Sequence, residues 1–234
     1  MHIMKIPFFR RRSKEKRLAR KLRDKEKLML ERQLAWDRKW GDPDFHPYWK
    51  VDGFTAFIGE LADRGLFNKN ASILDIGCGD GELSAALAGQ GYAVTGIDFA
   101  GSAIERARKR YGEAKDKLSF YRADATSGMP FEGGFDLGID SGTFHIIPLK
   151  GRRYYSGNMK RLIRPGGMLV MVFAISKAHK LSSSSKDKPL DLVYDHFREL
   201  FTPEFEIMES REDVIRSHRG REMPCYILLL QRKP

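Results

Sequence analysis

The chain has 234 residues, 41% of them hydrophobic, and carries 42 Lys and Arg against 31 Asp and Glu. That apolar content excludes wholesale disorder, and the length suits one domain of about 190–200 residues with a tail. The longest apolar run, Met168 to Ile175, falls far short of the roughly 20 residues of a membrane span, and no apolar stretch follows the basic start as it would in a secretory signal.

Residues 1–39 hold 15 basic and 5 acidic residues, so almost all of the net charge of +11 sits in that arm and the rest is nearly neutral. Two cysteines, Cys78 and Cys225, are too few for a disulfide framework or a four-ligand zinc site. No metal is expected, and a reducing, cytoplasmic setting is the simplest one.

Residues 13–40 contain no Gly or Pro and predict one highly charged helix with a thin apolar stripe of Leu18, Leu22, Met29 and Leu30. Gly41-Asp42-Pro43-Asp44 breaks it, and a second helix is expected from Val51 to Gly65. From Ser72 short apolar runs alternate with helical stretches. Strands are expected at 72–77, 93–98, 118–123, 135–140 and 168–174, with helices at 81–89, 102–111, 151–163 and 190–201. Two longer strands, 204–215 and 224–232, close the chain through a hairpin connection at Arg216–Glu222. This order predicts an α/β fold: a doubly wound, mostly parallel seven-stranded sheet of Rossmann-like type, with a C-terminal antiparallel β-hairpin and an N-terminal basic helix. The expected division is a basic helical arm, 1–40, and a domain, 41–234.

The chemistry concentrates at Asp75-Ile76-Gly77-Cys78-Gly79-Asp80-Gly81-Glu82, where a strand runs into three glycines and a helix follows. The spacing is not the dinucleotide fingerprint, because Glu82 stands at its sixth position, where a carboxylate repels a pyrophosphate. No Gly-Lys-Ser/Thr follows, so it is not a phosphate loop either. The acids Asp75, Asp80 and Glu82 suit a ligand with a cationic end and no phosphate, and S-adenosylmethionine is such a ligand. The next strand ends on Asp98, a carboxylate placed to accept two ribose hydroxyls. The third ends on Asp124, placed to accept from an adenine amino group, and the fourth on Asp140. Four successive strand ends thus carry Asp75, Asp98, Asp124 and Asp140.

On these residues the sequence resembles the class I S-adenosylmethionine-dependent methyltransferases. Asp75 to Gly81 is similar to their first motif, and Leu162-Ile163-Arg164-Pro165-Gly166-Gly167-Met168-Leu169 to their turn before strand five. The resemblance implies a methyltransferase domain over 41–234 with S-adenosylmethionine as cofactor, bound through Asp75, Gly77, Cys78, Gly79, Gly81, Asp98, Phe99, Asp124, Ala125 and Asp140. It implies that Gly77 and Gly79 approach the methionine part, that Phe99 packs on the adenine face, and that Asp124 with Ala125 reads the adenine edge. Asp140-Ser141-Gly142-Thr143-Phe144-His145, then Arg152, Arg153 and Tyr154, are similar to the thiopurine, thiol and tellurite branch, as is Trp36-Asp37-Arg38-Lys39-Trp40 with Phe45-His46. In that branch the N-terminal segment covers the cofactor and walls the substrate pocket, which implies a substrate or lid role for Trp36, Trp40 and Phe45. Ser141 stands where many members carry a basic residue.

His145 and His46 are the candidate catalytic residues, as base or orienter; each also reads as an ordinary loop histidine. Trp36 and Trp40, four apart on one helix face, either roof the cofactor or pin the arm. Cys78 reads as a small packing residue rather than a nucleophile. Arg152 and Arg153 suit an acidic substrate or a solvated face, and Arg219-Gly220-Arg221 a pocket edge. The expected partner is a small-molecule methyl acceptor, with a thiol or similar soft nucleophile. The alternative is RNA or a ribosome, docked through the basic residues 10–27; only Phe8 and Phe9 accompany those charges, so stacking on bases is poorly provided for.

Overall fold

The computed structural model describes residues 27, 30–47, 54–112, 117–174, 197–216 and 222–234. Much of the expected basic helix, the loop at Arg219–Arg221 and the segment 175–196 lie outside the described residues. Within them, helix α1 spans 30–41 and α2 Phe54–Asp63. Then come β1 Ser72–Ile76, α3 Glu82–Gly89, β2 Ala93–Asp98, α4 Gly101–Tyr111, β3 Leu118–Arg122 and β4 Phe135–Ser141. A single 3-10 turn, Phe144–Ile146, precedes α5 Leu149–Leu162 and β5 Ile163–Ala174. A helical turn, α6, at 197–201 leads to β6 Phe205–Arg216 and β7 Glu222–Arg232.

The seven strands lie in the order β3-β2-β1-β4-β5-β7-β6. The first five are parallel, and β7 inserts antiparallel between β5 and β6. The order reverses between β1 and β4, so the carboxyl ends of those two strands frame the crevice where open α/β sheets bind ligands.

Alternation along the buried strands feeds two cores. Ile73, Val94, Phe120, Ile139 and Val170 meet α2, α3 and α4 on one face. Leu74, Ile76, Ile97, Leu169 and Met171 meet α5 and the Phe197–Phe201–Phe205 cluster on the other. The expected strand at 168–174 begins earlier, at Ile163. Arg164-Pro165-Gly166-Gly167 forms an irregularity between the Phe135–Ile163 and Leu137–Met168 pairs, and Gly166 takes a φ of 73° there. The other strand boundaries differ from expectation by at most two residues, as strand ends do, and the starts of the helices expected from 51 and 190 lie outside the described residues.

Candidate functional site

The glycine loop between β1 and α3 is shaped by what lies behind each glycine. Gly81 has a φ of 77°, and a β-carbon there would stand 2.6 Å from the Phe120 ring and 2.9 Å from Ala107. It lets α3 and α4 close on the sheet, so its expected place against the cofactor is corrected to a packing role. Gly77 backs onto Thr143, whose hydroxyl donates to the Ile76 carbonyl at 2.9 Å. The Gly77 and Cys78 amides both donate to Ile97 O, at 2.7 and 2.9 Å. Gly79 faces outward, against Trp40 of α1, and a β-carbon would lie 2.7 Å from the indole.

The acids divide sharply. Asp75, paired in register with Gly96 of β2 and Ile139 of β4, is buried and accepts from Ser84 Oγ at 2.5 Å. Burial first, then the charges of Asp98 and Asp140, push its carboxyl up to about 7. Asp98 accepts from the Gly79 amide at 3.1 Å and the Ala100 amide at 2.8 Å, and burial raises it to about 6. Asp124 is half-buried and uses one oxygen to cap its own turn, accepting from Thr126 N and Oγ1. Ala125 is buried beside it, its carbonyl held by Asn158.

Asp140 differs. It is fully buried and accepts from the amides of Gly142, Thr143 and Phe144 and from Tyr155 Oη, at 2.5–3.0 Å for the shortest bond of each. Burial raises it to about 6. It ties the turn after β4 to α5 and offers no free face to a ligand, so its expected cofactor role is corrected. Asp80 and Glu82 were expected to meet a cationic ligand. Both instead reach Arg110 of α4, at 3.2 and 3.9 Å.

Helix α1 lies across this crevice. Gln33 donates to Phe99 O at 2.9 Å, and Asp37 accepts from Ser102 N at 3.0 Å and binds its hydroxyl. Trp40 is buried and meets the Phe45 ring edge-on at 5.2 Å, in a small cluster with Ala100 and Ala103 against which Trp36 and Phe99 pack. Arg106 of α4 holds the carbonyls of Asp42 and Phe45. Beside Gln33 and Phe99 opens a cavity of about 380 Å³, lined further by Arg122, Ala123, Asp124, Ser127 and Met129.

The structure therefore joins Gly79 to Asp98 and to Trp40, packs Trp36, Phe45 and Phe99 around Trp40, and brings Phe99 and Asp124 to one cavity, with Asp75 and Gly77 at the neighbouring end of β1 and Ala125 beside Asp124. His145 sits in the 3-10 turn after β4, its ring against Gly142 at the strand end. His46 is exposed, next to Phe45 in the segment that follows α1. Cys78 turns its sulfur toward Gly96, where a β-carbon would lie 3.0 Å away, and burial pushes its thiol well above the ordinary value. Its side chain packs there, and neither Cys78 nor Cys225 forms a disulfide.

Sequence reasoning missed Arg32, Gln33, Asp37, Ser84, Thr143 and Tyr155. A signal existed for some: Gln33, Trp36, Asp37 and Trp40 fall three or four apart, on one face of α1.

The methyltransferase-domain family profile matches residues 73–167, from the start of β1 to the glycine turn in β5. An uncharacterized methyltransferase of Schizosaccharomyces pombe is 30% identical over 120 residues, 51% of this chain and 81% of its own length. The chain belongs to the class I S-adenosylmethionine-dependent methyltransferases. The 2-heptyl-1-hydroxyquinolin-4(1H)-one methyltransferase of Mycobacteroides abscessus is 30% identical over 129 residues, 54% of this methyltransferase chain and 56% of its own. This methyltransferase spans about half to three fifths of the length of the first curated relatives it matches, 56%, 52% and 61%. A solved structure titled for the conversion of a disulfide bond into a thioacetal group during echinomycin biosynthesis superposes with a TM-score of 0.64 at 27% identity, over 80% of this chain and 84% of that one. The N-methyltransferase NodS of Bradyrhizobium japonicum, solved with S-adenosyl-L-homocysteine, shares the fold: TM-score 0.64, 17% identity, 86% and 98% covered.

The family's cofactor is S-adenosylmethionine, and the donor set fits it. Asp75 and Asp98 are both buried, and no Lys or Arg among the described residues pairs with either. Such a pair of carboxylates is suited to a cation and unsuited to phosphate. Among the described residues, no helix is long and apolar enough to cross a membrane.

Proposed function

We propose that this methyltransferase acts on a small-molecule acceptor through a soft nucleophile such as a thiol, in a reducing cytoplasm. The observation that carries the reading is α1 laid across the crevice, with Trp40 on Gly79 and Gln33 on Phe99. A covered crevice admits a small acceptor and keeps water from the reacting atoms, whereas a macromolecule needs an open groove. The thioacetal title of the 27%-identical structure and the hydroxyquinolone named for the bacterial relative are consistent with small acceptors. The thiopurine-branch likeness adds Trp36, Trp40 and Phe45 as pocket wall.

S-adenosylmethionine supplies a methyl group on a sulfonium, already activated for in-line displacement. The chain's own residues then bind and orient. Asp75 and the edge of Gly77–Gly79 hold the amino-acid end, and Asp98 the ribose. Phe99, Asp124 and Ala125 hold the adenine, beside the 380 Å³ cavity. His145, at the end of β4, is placed to orient the acceptor. A thiol near its own pKa needs no fixed base.

The test is turnover of benzenethiol by the full chain and by a chain lacking residues 1–26. Activity within about twofold in both, with a shallow salt dependence, supports the reading. The rival is nucleic acid docked through residues 10–27, favoured by their charge. Turnover of RNA alone, lost with residues 1–26 and falling steeply with salt, establishes that rival instead.

A further inference from the structure

We propose that Arg32 is a positioning residue that ties the helix over the crevice to the turn after β4, so that ordering one orders the other. The inference rests on the cofactor-site reading above and adds a link between its two sides.

Arg32 and Gln33 are neighbours on α1 and grip opposite lips of the crevice. Gln33 donates to Phe99 O, in the turn after β2, at 2.9 Å. Arg32 Nη2 donates to Ile146 O, in the turn after β4. That second turn presents three successive carbonyls, and two guanidinium groups take all three. Arg152 of α5 donates from Nη2 to His145 O at 3.2 Å and from Nε to Ile147 O at 3.0 Å. Arg32 takes the carbonyl between them, from the opposite element.

The two arginines are not equivalent. Arg152 is buried, with its guanidinium over the Phe144 ring at 4.8 Å, and belongs to the core. Asp140 and the Thr143–Ile76 bond brace the same turn from the sheet, and Tyr155 steadies Asp140 from α5. Arg32 alone among these braces comes from α1, whose other holds are on the cofactor side: Gln33, Asp37 and Trp40. Arg32 forms no ion pair among the described residues, and its nearest carboxylate influence, Asp124, acts through space. A half-buried guanidinium spent on one carbonyl is poorly explained by stability, since an apolar side chain would cover the same surface. A directional bond between two movable parts explains it: whatever holds α1 down also fixes the carbonyl beside His145.

The experiment is amide hydrogen exchange on the full chain, with and without about 1 mM S-adenosyl-L-homocysteine, read by mass spectrometry. In the unaltered protein the ligand slows exchange in 77–82, in 30–41 and in 142–150. In Arg32→Met the slowing at 77–82 persists, while that at 142–150 falls about tenfold, the worth of one charge-assisted bond. Arg32→Lys, which keeps a donor, restores part of it. A merely structural Arg32 would instead raise exchange equally with and without ligand. That result, or unchanged protection of 142–150 in Arg32→Met, overturns the link. Lack of any slowing at 77–82 in the unaltered protein overturns the cofactor site itself, and the inference with it, so the two failures are told apart.

Discussion

The carboxylates at the ends of β1 and β2 and the one at the end of β4 look alike in sequence and differ in what the chain does with them. Asp75 accepts from the Ser84 hydroxyl and Asp98 from the amides of Gly79 and Ala100, both at the crevice. Asp140 takes three amides and the Tyr155 hydroxyl, all from its own turn and helix. A buried carboxylate supplied wholly by its own turn and the helix behind it is part of the frame. Asp75 instead takes its partner from α3, and Asp98 joins the glycine loop to the turn after β2.

The sharpest way to break that contrast is Asp140→Ala, which leaves three amides and a phenol without their acceptor. The loss is about 3–5 kcal/mol, and at about 2–4 °C per kcal/mol the thermal midpoint falls by roughly 10 °C or more. Thermal unfolding without ligand checks it; an unchanged midpoint would put Asp140 among the ligand-holding acids after all. Asp98→Ala should do the reverse. It weakens S-adenosyl-L-homocysteine binding by about tenfold or more, the worth of a charged acceptor, and moves the ligand-free midpoint far less. Calorimetry at one pH decides, and unchanged affinity would place the ribose elsewhere.

Asp75 sharpens the comparison through pH. Its carboxyl is raised to about 7, chiefly by burial, with Asp98 and Asp140 raised to about 6 beside it; the neighbouring Cys78 thiol stays neutral. The folded chain holds a proton that the unfolded chain has released. The stability this contributes is complete below the unfolded value near 3.8 and is lost as pH rises through about 7. The ligand-free protein should lose several degrees of thermal midpoint between pH 6 and 8, and Asp75→Asn should flatten that slope. Over the same window, binding of a ligand with an ammonium group should tighten and release a proton, seen as binding heats that differ between phosphate and Tris buffers. Buffer-independent heats would mean that Asp75 meets no cation.

Much of this was legible in the sequence because the fold depends on repeating local signals. The strand runs, the three glycines and the Arg164-Pro165-Gly166-Gly167 turn each specify backbone by themselves. The division among the acids was not legible, because it depends on residues far away in the chain: Tyr155 for Asp140, Ser84 for Asp75, Arg110 for Asp80. Gly81 misled for a related reason. A glycine needed for a ligand and one needed for a phenylalanine ring read the same until Phe120 is seen behind it. The clasp of Arg32, Gln33 and Asp37 lay half-visible in the spacing around Trp36 and Trp40, but Arg32 and Gln33 donate to backbone carbonyls, which carry no sequence signal at all, and Asp37 accepts from Ser102, 65 residues on.

The smallest effect tests the acids just past the glycine loop. Asp80 and Glu82 stand where a cationic ligand was expected to find them, and the structure turns both to Arg110, whose side chain is 53% exposed. Asp80 is buried, but the guanidinium lies half in water, which screens its pairs with both acids to about 0–1 kcal/mol. Arg110→Ala should therefore shift the thermal midpoint by no more than a few degrees and leave S-adenosyl-L-homocysteine affinity within about twofold. If the two acids do serve the ligand, freeing them from Arg110 would make more negative charge available to its ammonium group. Affinity would then rise severalfold, most strongly at low salt. Titrating the variant at two ionic strengths separates the outcomes: flat, near-native binding keeps Asp80 and Glu82 on the α4 side, and a salt-sensitive gain moves them into the crevice.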